Sequence, residues 1–335
     1  MKKNGVNGCI RLIFSCSVLI FAVLIAGCDS SEVGYAQDTD SIALTTLSGK
    51  SRNTRFKFND NLSYLETSVI NGTDEEVNKD ESKKSGAYRI RKGYMLDVGK
   101  DYRSGFITSD RKIRVFATLD ENEENETSLC LAFQRSSYMT NSSLNGDFHM
   151  NRLTWGGGAG VSFSLSKSTV TFDGRNLVNN GTENQYYQVS DDGTLRVGSD
   201  TLMDGMLGKE GEMFFSNIKD DRGNAYDFSV GIKKSSGLGT ESLKGKYYAC
   251  EIGKNPQKVF TQRSNLTFDG NGSYTESSAD DSEQPEISGA YSVADDGSIS
   301  IDGSIGTGSM TSDGKIIVVM IERAGDWRYI IARKI

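Results

Sequence analysis

The chain has 335 residues, with 38 basic against 45 acidic side chains, a formal net charge of −7 and a single histidine. An acidic body repels phosphate backbones and anionic headgroups, which argues against nucleic acid and direct lipid-surface binding. One histidine excludes multi-histidine metal centres, and 37 glycines with two prolines suit a fold of many turns.

Lys2, Lys3 and Arg11 precede an apolar segment from about Leu12 to Ala26. That run is short of the roughly 20 apolar residues a spanning helix needs. A basic end, a short apolar middle and small residues at the boundary describe an export signal. Ile25-Ala26-Gly27-Cys28 resembles the lipobox of bacterial lipoproteins. The resemblance implies cleavage between Gly27 and Cys28 and acylation, palmitate included, of Cys28. It also implies a place in the cell envelope, on the periplasmic side of either membrane or at the cell surface. Each buried methylene contributes about 0.8 kcal/mol, so two or more acyl chains hold where one binds marginally. The other reading is an uncleaved signal anchor. Residues 1–27 carry three positive charges and no negative ones, so the processed chain has 35 basic against 45 acidic residues and a net charge of −10. Residues 28–46 read as a flexible tether, and no later apolar stretch is long enough to cross a bilayer.

From there the chain repeats itself. Leu47-Ser-Gly49, Leu144-Asn-Gly146 and Leu243-Lys-Gly245 recur at steps of 97 and 99 residues, and "GAYRI" at Gly86, "QYYQV" at Gln185 and "GAYSV" at Gly289 at steps of 99 and 104. Phe172-Asp-Gly174 matches Phe268-Asp-Gly270, with Phe58-Asn-Asp60 a worn copy, and "SDDGTLRV" from Ser190 matches "ADDGSISI" from Ala294. The same order and spacing define three copies, 47–135, 144–234 and 243–335. In the first, 11 residues separate Leu47 from Phe58, against 28 and 25 in the others, so its opening hairpin is shortened or borrows the tether.

Within a copy the apolar period is two. "SNLTFDGNGSYTES" sets Leu266, Phe268 and Tyr274 on one face with a reversal at Asp269-Gly270, and "GAYSVADDGSISIDG" repeats the device at Asp296-Gly297. Asp-Gly between alternating runs signals a hairpin because glycine adopts positive φ freely. The third copy resolves into eight strands near 244–251, 262–268, 272–278, 287–293, 297–301, 305–310, 315–321 and 326–333. Eight antiparallel strands in up-and-down order close into a barrel without exposed edges. The expected fold is therefore all-β: three tandem barrels, beads on a string. About 24 strands also divide into a six-bladed propeller. Ile316 to Ile321 is apolar on both faces, as a strand covered on two sides would be. Its outer side, with Ile317 and Val319 as the candidate interaction residues, is expected to meet a neighbouring barrel or another protein. The copies are similar to the tandem β-rich units of some exported bacterial lipoproteins and, in plan, to lipocalin or avidin-like barrels. That resemblance carries over no catalytic or binding position.

Chemistry is sparse. His149 stands where the next copy has Tyr248, a place where a strand residue needs only to fit. No G-x-S-x-G appears for a serine hydrolase, and the glycines after Trp155 lack the Lys-Ser/Thr of a phosphate loop. Asp269, Asn271, Ser273 and Thr275 have the alternating spacing of a calcium loop, but Tyr274 stands where that loop needs glycine. The runs at Asp74 and Asp120 read as solvated hairpin tips that leave calcium as a weak alternative to no cofactor. No catalytic residue is assigned. Cys130 and Cys250, one copy apart, are free thiols or a single bridge. Two functions remain: a non-enzymatic binding scaffold held at a membrane through Cys28, with a protein of the envelope as partner, or a lipocalin-like carrier of a small apolar ligand. Tyr88, Tyr187, Tyr291, Phe172 and Phe268, all expected inside, favour filled barrels and hence the first.

Overall fold

The computed structural model describes residues 39–335 other than 48–49, 60, 70–82, 92, 99–102, 119–127, 157–161, 199–202, 220–224, 280–284, 304 and 324. The first barrel comprises β1 (Thr39–Leu47), β2 (Lys50–Phe58), β3 (Ser63–Val69), β4 (Lys83–Arg91), β5 (Met95–Val98), β6 (Arg103–Ile107), β7 (Ile113–Thr118) and β8 (Ser128–Gln134). The second comprises β9 (Asn145–Gly156), β10 (Ser162–Asp173), β11 (Leu177–Asn179), β12 (Asn184–Val189), β13 (Thr194–Val197), β14 (Met203–Gly208), β15 (Met213–Lys219) and β16 (Ala225–Lys233). The third comprises β17 (Gly245–Lys254), β18 (Val259–Phe268), β19 (Ser273–Ser278), β20 (Ile287–Val293), β21 (Ser298–Ile301), β22 (Gly306–Met310), β23 (Ile316–Arg323) and β24 (Asp326–Lys334).

Each strand pairs antiparallel with the next, and the eighth closes on the first, so all three sheets are closed up-and-down barrels. Closure within each copy rules out the propeller, whose blades would leave open four-stranded sheets. The alternation seen in the sequence sorts the side chains. Leu266, Phe268, Tyr274, Tyr291, Ile299 and Ile301 form the interior of the third barrel, and Phe148, Phe172, Tyr187 and Leu195 that of the second.

One expectation about the chain path needs correction. Leu47 does not open a barrel as Leu144 and Leu243 do; it is the last residue of β1, which begins at Thr39 inside the stretch assigned to the tether. Ser41 to Thr46 are, apart from Leu44, small or β-branched and look like spacer beside a lipidated cysteine, yet they pair with β2 and β8 on both sides. The Asp-Gly reversals of the third barrel are four-residue turns. In the first, the Asp269 carboxylate accepts from the backbone N–H of Asn271 at 2.7 Å and of Ser273 at 2.9 Å, while Gly270 takes φ +83°. An Asx turn of this kind uses aspartate to cap its own loop.

The beads-on-a-string arrangement is also corrected. Gly34–Ile335 forms one unit, and a single apolar cluster draws on the outer faces of all three barrels: Val115 and Leu131 from the first, Phe215 and Phe228 from the second, Val318 and Tyr329 from the third. Both faces of β23 are buried for this reason. Ile317, Val319 and Ile321 face the barrel interior, and Ile316, Val318 and Met320 face the shared cluster. The candidate pair Ile317 and Val319 is thus on the inner side, at 0% and 2% exposure. Alternation fixes that every second residue shares a face, but a doubly apolar run gives no clue to which face is which.

Candidate functional site

The barrel interiors are the first place to seek a site, and side chains fill them. In the first barrel Phe56 meets Phe116 edge-on at 5.4 Å, Phe58 meets Tyr88 at 5.1 Å, and the Arg114 guanidinium lies 4.7 Å over Phe58. Burial pushes that guanidinium down to about 10. In the second, Phe172 packs edge-on against Tyr187 at 4.9 Å and Phe148 at 5.5 Å. In the third, Phe268 does the same to Tyr291 at 4.9 Å and Tyr247 at 5.4 Å. The five aromatics expected inside are all there. Edge-to-face rings at these distances gain about 0.5–1.5 kcal/mol each beyond burial.

One end of the third barrel is polar inside. Glu251 on β17 is completely buried, with Arg328 Nη1 3.4 Å from its Oε2. Arg328 also holds Glu276, donating from Nη2 to Oε2 at 2.9 Å. Burial raises Glu251 to about 7; the Arg328 charge opposes this and the Glu276 charge adds to it. The second barrel has the same position with the signs exchanged: Arg152 Nε lies 3.6 Å from Asp227 Oδ2. Sequence reasoning passed over these residues. The signal was present, since Glu251 interrupts the apolar face of "YYACEIGK" and Arg328 that of "DWRYIIARK".

The junctions between barrels use the repeated Asp-Asp-Gly turns. After β8 the chain lies across the next barrel's turn: Ser136 N–H donates to Asp192 O at 3.2 Å, Met139 N–H to Asp191 O at 3.1 Å, and Arg135 pairs with the Asp192 carboxylate. After β16 the pattern recurs, with Ser235 donating to Asp296 O at 3.4 Å and Leu238 to Asp295 O at 3.3 Å. His149 belongs to this second junction. It donates from Nε2 to Asp296 O at 3.0 Å and is 3% exposed, and burial with the nearby Lys167 charge pushes it below the ordinary imidazole range. Asp296 Oδ2 contacts the same Nε2 at 3.4 Å, so the acid cannot orient the ring from its other nitrogen as a hydrolase triad requires.

The third barrel meets the first differently. The first barrel's corresponding turn has Tyr94, at φ +61°, where the others have Gly193 and Gly297; all three carbonyls accept from the second strand after the turn, from Ile107, Leu207 and Met310. Arg333 on β24 donates to Gly93 O at 2.6 Å and Ile107 O at 3.1 Å and lies 5.4 Å over the Tyr94 ring.

Of the remaining sequence candidates, Gly27 and Cys28 lie outside the described residues, as do the acidic segments 74–82 and 120–126 and the glycines at 157–158. Cys130 and Cys250 are buried and not joined in a disulfide, the former inside the first barrel and the latter on the shared cluster. Among the described residues no group of three or more His, Cys, Asp or Glu is placed to hold a metal ion. Among the described residues, grooves open on the outside at two places. One, of about 490 Å³, lies at the first junction between Lys112, Arg135, Tyr138 and Glu210. The other, of about 520 Å³, lies on the second barrel beside Tyr186 and Arg196.

By its fold the chain is an all-β protein of three closed barrels, each with aromatic side chains packed inside. No protein-family model and no curated protein matches it. Among solved structures it is similar to isotype 1 transferrin binding protein B from serogroup B Neisseria meningitidis, at 9% identity and TM-score 0.31, over 84% of this chain and 64% of that one. A mutant form of transferrin binding protein B from Haemophilus parasuis gives 9% and 0.30, over 85% and 66%. A protein of unknown function from the DUF3598 family of Nostoc punctiforme gives 9% and 0.20, over 89% and 95%. The chain thus spans just under two thirds of each transferrin binding protein, and at these identities and scores no functional residue transfers.

Proposed function

We propose that the protein is an exported, lipid-anchored, non-enzymatic binding scaffold of the bacterial cell envelope, tethered through acylated Cys28 and presenting outer barrel surfaces to a partner. The observation that carries this reading is the filling of all three interiors by their own aromatic side chains. A lipocalin-like carrier needs an internal cavity, and eight strands enclose either packed side chains or one small ligand. Fusion of the barrels through a shared cluster adds a second support, because a rigid body holds distant loops in fixed relation and binding residues concentrate on such loops. No cofactor enters the proposal. The test is Cys28→Ser expressed in a bacterial envelope with a palmitate analogue as probe. The unsubstituted chain should be labelled, cleaved and membrane-bound, and should capture an envelope protein on crosslinking. The variant should remain an unlabelled precursor. Labelling and processing that survive the substitution would remove the anchor from this reading, and a labelled chain that captures nothing would remove the partner.

A further inference from the structure

The three copies are controls for one another, because a position that serves only the fold should accept similar residues in each. The outer wall of β12 and β13 departs from that expectation. Tyr88, Tyr187 and Tyr291 are equivalent inward residues, paired with Val98, Val197 and Ile301. The outward neighbours one residue before them are Ala87, Tyr186 and Ala290. The neighbours one residue after, with their cross-strand partners, are Arg89 opposite Asp97, Gln188 opposite Arg196 and Ser292 opposite Ser300. The first copy therefore carries an exposed ion pair at 3.2 Å, the third carries two serines, and the second carries a large aromatic with an amide and a guanidinium.

Tyr186 is 67% exposed, and its cross-strand partner Leu177 is 36% exposed. Packing does not explain a tyrosine in that state. Beside it Gly198 takes φ +88° with open space where a Cβ would stand. The far side of the groove is fixed by Asn141, whose Oδ1 accepts from Val189 N–H at 2.7 Å and whose amide nitrogen donates to Arg175 O. Asn176 is held by its backbone, accepting from Tyr187 N–H and donating to Asp173 Oδ1, so that its side chain lines the opening. The volume, about 520 Å³, falls within the roughly 300–1,000 Å³ of small-molecule sites.

From this we infer that the groove on the second barrel is a saccharide-binding site, a reading that rests on the proposed binding role and gives it a ligand class. A sugar ring presents a flat C–H face and a rim of hydroxyls that both donate and accept. Tyr186 supplies a broad amphipathic surface that loses little freedom on binding. Asn176 and Gln188 carry amides that donate and accept, and Arg196 stands beside them. No carboxylate is among the described residues that line the groove. Because the groove's walls are held by backbone hydrogen bonds, little ordering cost falls on the protein when a ligand enters.

The experiment is saturation-transfer NMR on the full chain with chitotriose, maltotriose, lactose and 3′-sialyllactose. At least one should receive saturation on its ring C–H protons and bind saturably. Tyr186→Ala should weaken that binding at least tenfold and Gln188→Ala several-fold, with unchanged circular dichroism. Tyr138→Ala, which removes an 89%-exposed tyrosine on the other groove, should leave it unaltered. No transfer to any of the four sugars overturns the inference, as does transfer that survives Tyr186→Ala. Capture of an envelope protein that is lost with Tyr186→Ala, without sugar binding, would make the groove a protein surface and overturn it too. Sugar binding by a chain that captures no envelope protein would uphold it and confine the failure to the partner reading.

Discussion

Arg333 donates to the carbonyl of Gly93 across 240 positions of sequence, and this bond ties the third barrel back to the first. Its equivalents at the other two junctions, Phe133 and Ile232, join the shared apolar cluster instead. The guanidinium satisfies two carbonyls at once, and burial lowers its affinity for the proton without neutralising it. Arg333→Met should therefore cost about 1.5–3 kcal/mol, the range for hydrogen bonds from a charged donor. Lysine, with one ammonium in place of the fork, should restore less than half. Chemical denaturation of the full chain measures both, and an Arg333→Met midpoint equal to that of the parent would mean that the junction closes without this residue.

The parity of β23 can be tested in a fragment. Residues 241–335 keep a complete barrel but lose what covers Ile316, Val318 and Met320. The fragment should fold and self-associate. Val318→Lys should relieve association, whereas Ile317→Lys and Val319→Lys should unfold the fragment, since each would place an unpaired charge in the barrel interior. Sedimentation with denaturant titration separates the cases. A soluble monomer without any substitution would show that the shared cluster is dispensable.

Two buried groups act on stability in opposite directions as pH changes. Glu251, raised to about 7 in the folded state, is favoured there in its neutral form. Its contribution is present below the ordinary glutamate range and is lost as pH rises through about 7. His149 is pushed below its ordinary value by burial, with Lys167 and Lys234 against the charge and Asp296 for it. Its contribution is present above about 6.5 and lost as pH falls. Either slope is at most about 1.4 kcal/mol per pH unit for one proton. Thermal unfolding from pH 5 to 8 should show Glu251→Gln removing the alkaline loss and His149→Gln the acid loss. Unchanged profiles in both variants would refute the assignment.

Filled interiors make a prediction about emptiness. Phe268→Ala should destabilise by about 3–5 kcal/mol through lost transfer energy and the cavity left behind. The cavity should then bind a small aromatic dye that the parent does not take up. Saturable dye binding by the parent chain, abolished by Tyr291→Ala, would instead restore the carrier reading.

Much of this molecule was readable from residue order because a β-barrel writes its interior at period two. The alternation of Leu266, Phe268 and Tyr274 and the recurrence of the tyrosine hairpins located eight strands to within a few residues, and three copies followed. What alternation cannot convey is the surface on which one barrel rests against another. Val115 and Phe215 look like ordinary outward apolar residues until their common cluster is seen. The first strand was missed because Ser41 to Thr46 carry too little apolar contrast to announce a face. Tyr186 was visible in "QYYQV" from the start, but its exposure distinguishes it only once its neighbour Tyr187 is known to point inward. The buried charges Glu251 and Arg328 were passed over because each looks like a surface residue when its partner on another strand is unknown.

Arrays of stacked repeats can be lengthened or shortened, because each unit touches only its neighbours. Three barrels that share one apolar cluster and close through Arg333 do not have that freedom. Deletion of one copy would strip two junctions together. Recombination between copies that removes a barrel should therefore expose apolar surface on both of the others.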